Sequence, residues 1–266
     1  MVKSNYTACA TRPEEVVVCS ALNAGNYPAE YAEKVKSIFG TIQDDGLRKR
    51  VESTLGKFES GTDDKLAQSS PYRLVLLQEI IPKERVLVAR PRLEVAKQNN
   101  PDFMSGFYVD CGLNLVSGEE GYQVNSIPTK ALAKDLTSIG FNLTNPKLIS
   151  INALTYEVNE KSPSGLVFRL SEQGKDNARA LILNTLDFKW DYLPSRTGLF
   201  GAYLYRNGHW RALDEDLAYS YDGGRVVVET TGEASALEFD VLKRQSEELF
   251  DRQRRERETL ANKLLA

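Results

Sequence analysis

From residue 148 to 230 the chain is a series of short apolar runs, each closed by a turn signal. No long helix fits between such breaks, so this stretch restricts the fold more than any other. The run 148–158 ends at Lys161, Ser162, Pro163, Ser164 and Gly165. The runs 166–170 and 178–183 flank a turn holding Gly174, Asp176 and Asn177. Asn207-Gly208 joins 199–206 to 209–213 and predicts a two-residue type I′ hairpin. Asp222, Gly223 and Gly224 separate 217–221 from 225–230 and predict a second one. The pattern reads as an antiparallel meander or partial barrel.

The half before it is mixed. A short strand is expected at 16–19. A helix follows with Pro28 in its first turn, Tyr31, Val35, Ile38 and Phe39 on one side, and Gly40 as its stop. A second helix is expected over 46–60, striped by Leu47, Val51, Leu55 and Phe58. The run 72–81 is too evenly apolar for periodicity to separate buried helix from strand. Residues 86–89 read as a strand. So do 106–116, with Phe107, Val109, Cys111, Leu113 and Leu115 on one face and Tyr108, Asp110 and Asn114 on the other. A third helix is expected over 126–140, started by Pro128 and ended by Gly140.

After Gly232 neither Gly nor Pro occurs, and strong helix formers dominate to the end. A long charged C-terminal helix is expected there. Glu248 with Arg252, and Asp251 with Arg255, are spaced to pair along it, each pair worth roughly 0.2–0.5 kcal/mol. The predicted class is therefore α+β: a mixed half (1–145), an antiparallel β half (146–231) and the C-terminal helix (232–266). One domain can also hold all three.

A chain of 266 residues can bury a sizeable core. Its 41% hydrophobic and 27% charged content is that of a globular protein. A net charge of −3 disfavours broad adhesion to nucleic acid or to anionic membranes. The three cysteines, Cys9, Cys19 and Cys111, have no paired spacing, which argues against a disulfide framework and a cysteine zinc site. The start carries no apolar leader, and no run has the length of a membrane span. A cytoplasmic protein is expected, with no membrane partner.

Motifs of chemistry are scarce. The single histidine, His209, sits beside a hairpin turn, which excludes multi-histidine metal sites within one chain. Phosphate-loop and dinucleotide fingerprints are missing, and no cofactor is expected. Three groups of residues remain. Asp110 and Asn114 share a predicted strand face around Gly112, where a ligand or another backbone can approach closely; Asp110 there suits a general base or cation ligand. Asp187 and Asp191 frame an aromatic connector, followed by Arg196 and Gly198, which suit an anion. Tyr203, Tyr205 and Trp210 share a face of the first hairpin, with Tyr205 opposite Trp210. They form a stacking platform if outward and core if inward, and the alternation favours core. Asp214, Glu215 and Asp216 read as a solvated turn.

The first expectation of function is an assembly or adaptor protein with a protein partner or a second copy of itself. Its contact element is the C-terminal helix, through Arg252, Arg255, Leu260 and Leu264. The alternative is a hydrolase or transferase using carboxylate chemistry, with Mg²⁺ an option. It requires a pocket joining the two halves with a perturbed carboxylate inside. A binder of single-stranded nucleic acid on the aromatic face is the less favoured third.

Overall fold

The computed structural model describes residues 19–21, 25–61, 65–83, 85–99, 106–116, 126–213 and 217–230. The expected helix over 232–266, and with it Arg252, Arg255, Leu260 and Leu264, lies outside them, as does the 214–216 acidic turn.

Helix α1 (Tyr27–Thr41) opens with Pro28 in its first turn, where no backbone donor is needed. It buries Tyr31 and Val35. The Tyr31 hydroxyl donates to the Leu55 carbonyl at 2.9 Å. Helix α2 (Asp45–Leu55) starts where the Asp44 carboxylate accepts the Leu47 N–H at 2.6 Å. It buries Leu47, Val51 and Leu55 on one face. It stops at Gly56, short of the expected residue 60, so Phe58 reaches the core from beyond the helix and meets Tyr31 edge-on at 4.8 Å.

Helix α3 (Pro71–Gln78) resolves the ambiguous run 72–81. Every residue from Pro71 to Leu77 is buried, so no polar face marks a helical period. Helix α4 (Arg90–Asn99) was not expected, because Pro91 reads as a breaker when it is in fact in the first turn. Helix α5 (Ser126–Ser138) matches its expectation and is followed by Gly140 at φ +88°. Asp135 of α5 grips the Arg169 guanidinium with two bonds of 2.7 and 2.8 Å.

Twelve strands accompany these helices among the described residues: β1 (Cys19–Ala21), β2 (Glu59–Ser60), β3 (Leu66–Ala67), β4 (Arg85–Leu87), β5 (Val109–Val116), β6 (Lys147–Ser150), β7 (Leu154–Val158), β8 (Leu166–Leu170), β9 (Ile182–Asn184), β10 (Gly198–Leu204), β11 (Trp210–Leu213) and β12 (Val227–Thr230). Two expected strands are broken. Within 148–158 a 3-10 turn (Ile151–Ala153) separates β6 from β7. There Ser150 bonds the Asn152 side chain, whose Nδ2 donates to the Leu87 carbonyl, so local polar groups divert the ladder. Within 178–183 the helix-forming Ala178–Leu181 makes a single helical turn before β9.

The expected meander or barrel is not what forms. The five-stranded antiparallel sheet runs β11-β10-β5-β6-β9, so β5 from before residue 145 sits between strands from after it. Loop-distant strands complete the sheet, whose outermost strands are β9 and β11, the latter bridged on its outer side by Tyr192 alone among the described residues. Strand β12 leaves the expected second hairpin to pair with β1 and β4. The turn is made, with the Gly224 N–H on the Tyr221 carbonyl at 2.9 Å, but 217–221 stays irregular.

The architecture is mixed α+β. Helices α1, α2, α3 and α5 cover one face of the large sheet, over Leu113, Leu115, Ile149 and Leu199. The other face packs Val109, Cys111, Leu148, Ala202, Leu204 and Trp210 against Leu93 and Phe188. Among the described residues no helix is long and apolar enough to cross a membrane.

Candidate functional site

Two local irregularities build the site. The first is a bulge in β5. Gly112 faces Ala202 and Asp110 faces Tyr203, which leaves Cys111 without a partner across the ladder. The Cys111 thiol instead donates to the Ala202 carbonyl at 3.4 Å. One extra residue reverses the alternation, so the expected faces are wrong. Tyr108 and Asp110 join the face of Leu113 and Leu115, while Val109 and Cys111 fall on the other. Asn114 parts from Asp110: it is fully buried and accepts the Thr185 hydroxyl at 2.8 Å. At Gly112 the close approach is that of a backbone. A Cβ there would fall 2.4 Å from the Ile149 carbonyl oxygen.

The second is the β10–β11 turn. The Tyr205 N–H donates to the His209 carbonyl and the Gly208 N–H returns to Tyr205, both at 2.8 Å. Gly208 has φ +77°. This is a three-residue loop with a glycine bulge, not the expected two-residue type I′ turn. The register moves by one. Trp210 pairs with Leu204 and is buried on the far side of the sheet, and Arg211 comes opposite Tyr203. Tyr203 and Tyr205 therefore share their face with Arg211, not with Trp210. His209 is exposed.

Together these shifts line a cavity of about 350 Å³ on the helix-covered face, near the end of the sheet. Tyr108, Tyr203, Tyr205, Tyr219 and Tyr221 wall it, with Asp110 inside and Arg206 and Arg211 beside Tyr205. The tyrosines touch in sequence, edge to face: Tyr205 with Tyr203 at 6.3 Å, Tyr203 with Tyr108 at 6.1 Å, Tyr108 with Tyr221 at 6.2 Å, and Tyr221 with Tyr219 at 4.5 Å. The Arg211 and Arg206 guanidiniums lie 4.5 and 5.4 Å from the Tyr205 ring centre. Residues from both sides of position 145 contribute, so the cavity joins the two halves.

The half-buried Asp110 accepts the Ser69 hydroxyl at 2.8 Å through one carboxylate oxygen. Desolvation pushes its carboxyl up to about 7, against the smaller opposing effect of that bond. Burial, and then the Asp110 charge, also raise the Tyr108 hydroxyl. That hydroxyl donates to the Ser69 carbonyl at 3.1 Å and accepts the Tyr221 N–H at 2.8 Å, tying the irregular 217–221 segment to β5. Ser69 is set between Gln68, held at φ +63°, and the first turn of α3. Gln68 is the one non-glycine residue with positive φ among the described residues, and such strain collects where function fixes the backbone.

The other expected site residues are elsewhere. Asp187 lines a separate cleft with Lys147 and Asn184. The Asp191 carboxylate accepts the Trp210 N–H at 2.7 Å, at the start of β11. Arg196 is exposed on the connector before β10. Trp210 belongs to a different cluster, in which the buried Arg90 guanidinium lies 3.9 Å from the Trp190 ring, 4.2 Å from Trp210 and 4.7 Å from Phe188. Sequence reasoning missed Ser69 and Arg211 as site residues. The signal for Arg211 was Gly208, which a one-residue-longer loop also accommodates; Ser69 had none. No group of three or more His, Cys, Asp or Glu side chains comes together among the described residues.

Comparison of the chain with protein-family models, with curated proteins and with solved structures finds no match in any of the three.

Proposed function

We propose that the tyrosine-walled cavity binds a small planar ligand that carries an anionic group. The observation behind this is the joint placement of five tyrosines, one half-buried carboxylate and two arginines around a single cavity. Tyrosine faces stack on flat rings. Arg206 and Arg211 favour a phosphate or carboxylate at the rim. The free oxygen of Asp110 accepts ring-edge N–H donors. A nucleoside monophosphate satisfies all three demands, and guanine offers two adjacent donors to one carboxylate.

Calorimetric titration with GMP and AMP tests the proposal. GMP is expected to bind in a one-to-one ratio. Asp110→Asn and Arg211→Gln should each weaken it by on the order of tenfold or more, the worth of one hydrogen bond to a charged group. Failure of both nucleotides to saturate the protein, or unchanged affinity in both variants, refutes it.

The same carboxyl supports a second reading, catalysis with Asp110 as general base or acid, since a pKa near neutrality suits proton transfer at physiological pH. That makes the carboxylate hydrolase or transferase a proposal about this cavity and moves it away from Asp187 and Asp191. The assembly role of 232–266 stays a proposal resting on its charge and leucine pattern. We place the protein in the cytoplasm, in keeping with Cys111 as a free buried thiol.

A further inference from the structure

Behind the 217–222 segment lies a second cleft, of about 580 Å³, which shares Leu217 and Tyr219 with the tyrosine cavity. We infer that this cleft is an oxyanion site, built around Arg73 and Arg50, that takes a phosphate group.

Arg73 is the central observation. The residue is 9% exposed. Its Nε donates to the Leu55 carbonyl at 2.8 Å. Its Nη1 donates to the Gln68 carbonyl at 2.8 Å and to the Ser220 hydroxyl at 2.5 Å. Those acceptors are neutral, and no carboxylate forms an ion pair with it among the described residues. Both hydrogens of Nη2 are left over, because a guanidinium carries five. Gly56 leaves room for that nitrogen, since a Cβ there would fall 2.5 Å away. A guanidinium withdrawn from water this far and hydrogen-bonded only to neutral acceptors is costly; the Glu59 carboxylate acts on it through space without bonding it, and a bound anion offsets the remaining cost.

Arg50 supplies a second charge on the same cleft. It donates to the Glu160 carbonyl at 3.0 Å, and its Nε is buried without an acceptor. It too has no carboxylate partner among the described residues. Ser220, whose hydroxyl oxygen accepts from Arg73 and whose proton is left to donate, adds a hydroxyl to the cleft. One acid, Asp222, also lines the cleft, with Gln68 donating to it at 3.4 Å. Two cations against one anion leave the cleft positive. Planar forks with free N–H groups match the tetrahedral oxygens of phosphate.

This site does not depend on the tyrosine cavity, and inorganic phosphate alone is the probe. Isothermal titration of the full chain is expected to show one saturable phosphate site. Arg50→Gln should weaken it by on the order of tenfold or more. Lys49→Gln, one residue along α2 on its exposed side, should not. Arg50 is the better substitution because Arg73 also holds the end of α2, so its variants risk misfolding. No saturable binding, undiminished binding by Arg50→Gln, or an equal loss with Lys49→Gln overturns the inference.

Discussion

Replacing Asp110 with asparagine removes the titrating carboxyl of the tyrosine cavity while keeping its shape and an acceptor for Ser69. In the folded protein this carboxyl holds its proton to about pH 7, because burial penalises the charged form. In the unfolded chain it loses the proton near pH 4. Between those values the folded state binds more protons than the unfolded state, so stability falls as pH rises through this window. The full interval corresponds to about 4 kcal/mol, a ceiling that any water entering the cavity reduces. Urea unfolding of parent and variant at about pH 4.5 and about pH 8 measures the effect. The parent is expected to lose on the order of 2–4 kcal/mol more than Asp110→Asn over that range. Parallel behaviour refutes desolvation as the controlling force. A parent that gains stability relative to the variant shows that Arg206 and Arg211 govern the carboxylate instead.

Two more expectations follow from the same structure and sequence. Gly112→Ala drives a methyl group to within 2.4 Å of the Ile149 carbonyl at the centre of the sheet, so a loss of roughly 1–3 kcal/mol or more is expected in chemical denaturation; an unchanged midpoint contradicts the close β5–β6 approach. Deleting the residues after Phe250 is expected to leave a folded protein that no longer assembles, read by native mass spectrometry; unchanged mass and partners dismiss those residues as a contact element.

What could be read in advance depended on whether one face of an element was polar. Helices α1, α2 and α5 show a wet side, and their apolar stripes located them. Helix α3 has none, so its run of buried residues carried no period. Strand β5 was placed correctly as a strand, but its faces were not, because the Cys111 bulge is a property of the pairing and leaves no mark in composition. Asn207-Gly208 announced a turn correctly and its length incorrectly, and that single residue moved Trp210 out of the candidate site and Arg211 into it. Asp110 is a candidate by sequence and by structure alike, but its neighbours are Ser69 and the tyrosines, not Asn114. The sheet order was beyond reach, since β5 enters between β10 and β6 from far away in the chain.

The Arg90 cluster has a spectroscopic consequence. The chain has two tryptophans, Trp190 and Trp210, and both rings lie within 4.2 Å of that one guanidinium. Indole emission from this protein therefore samples a single neighbourhood, behind the sheet from the five-tyrosine cavity. A quencher or denaturant that opens the Arg90 side is reported twice over. A molecule entering among Tyr203, Tyr205 and Tyr221 changes that light only indirectly, through energy passed from excited tyrosine to indole. Excitation chosen for tyrosine, compared with excitation chosen for tryptophan alone, thus gives separate optical views of the two sides of one sheet.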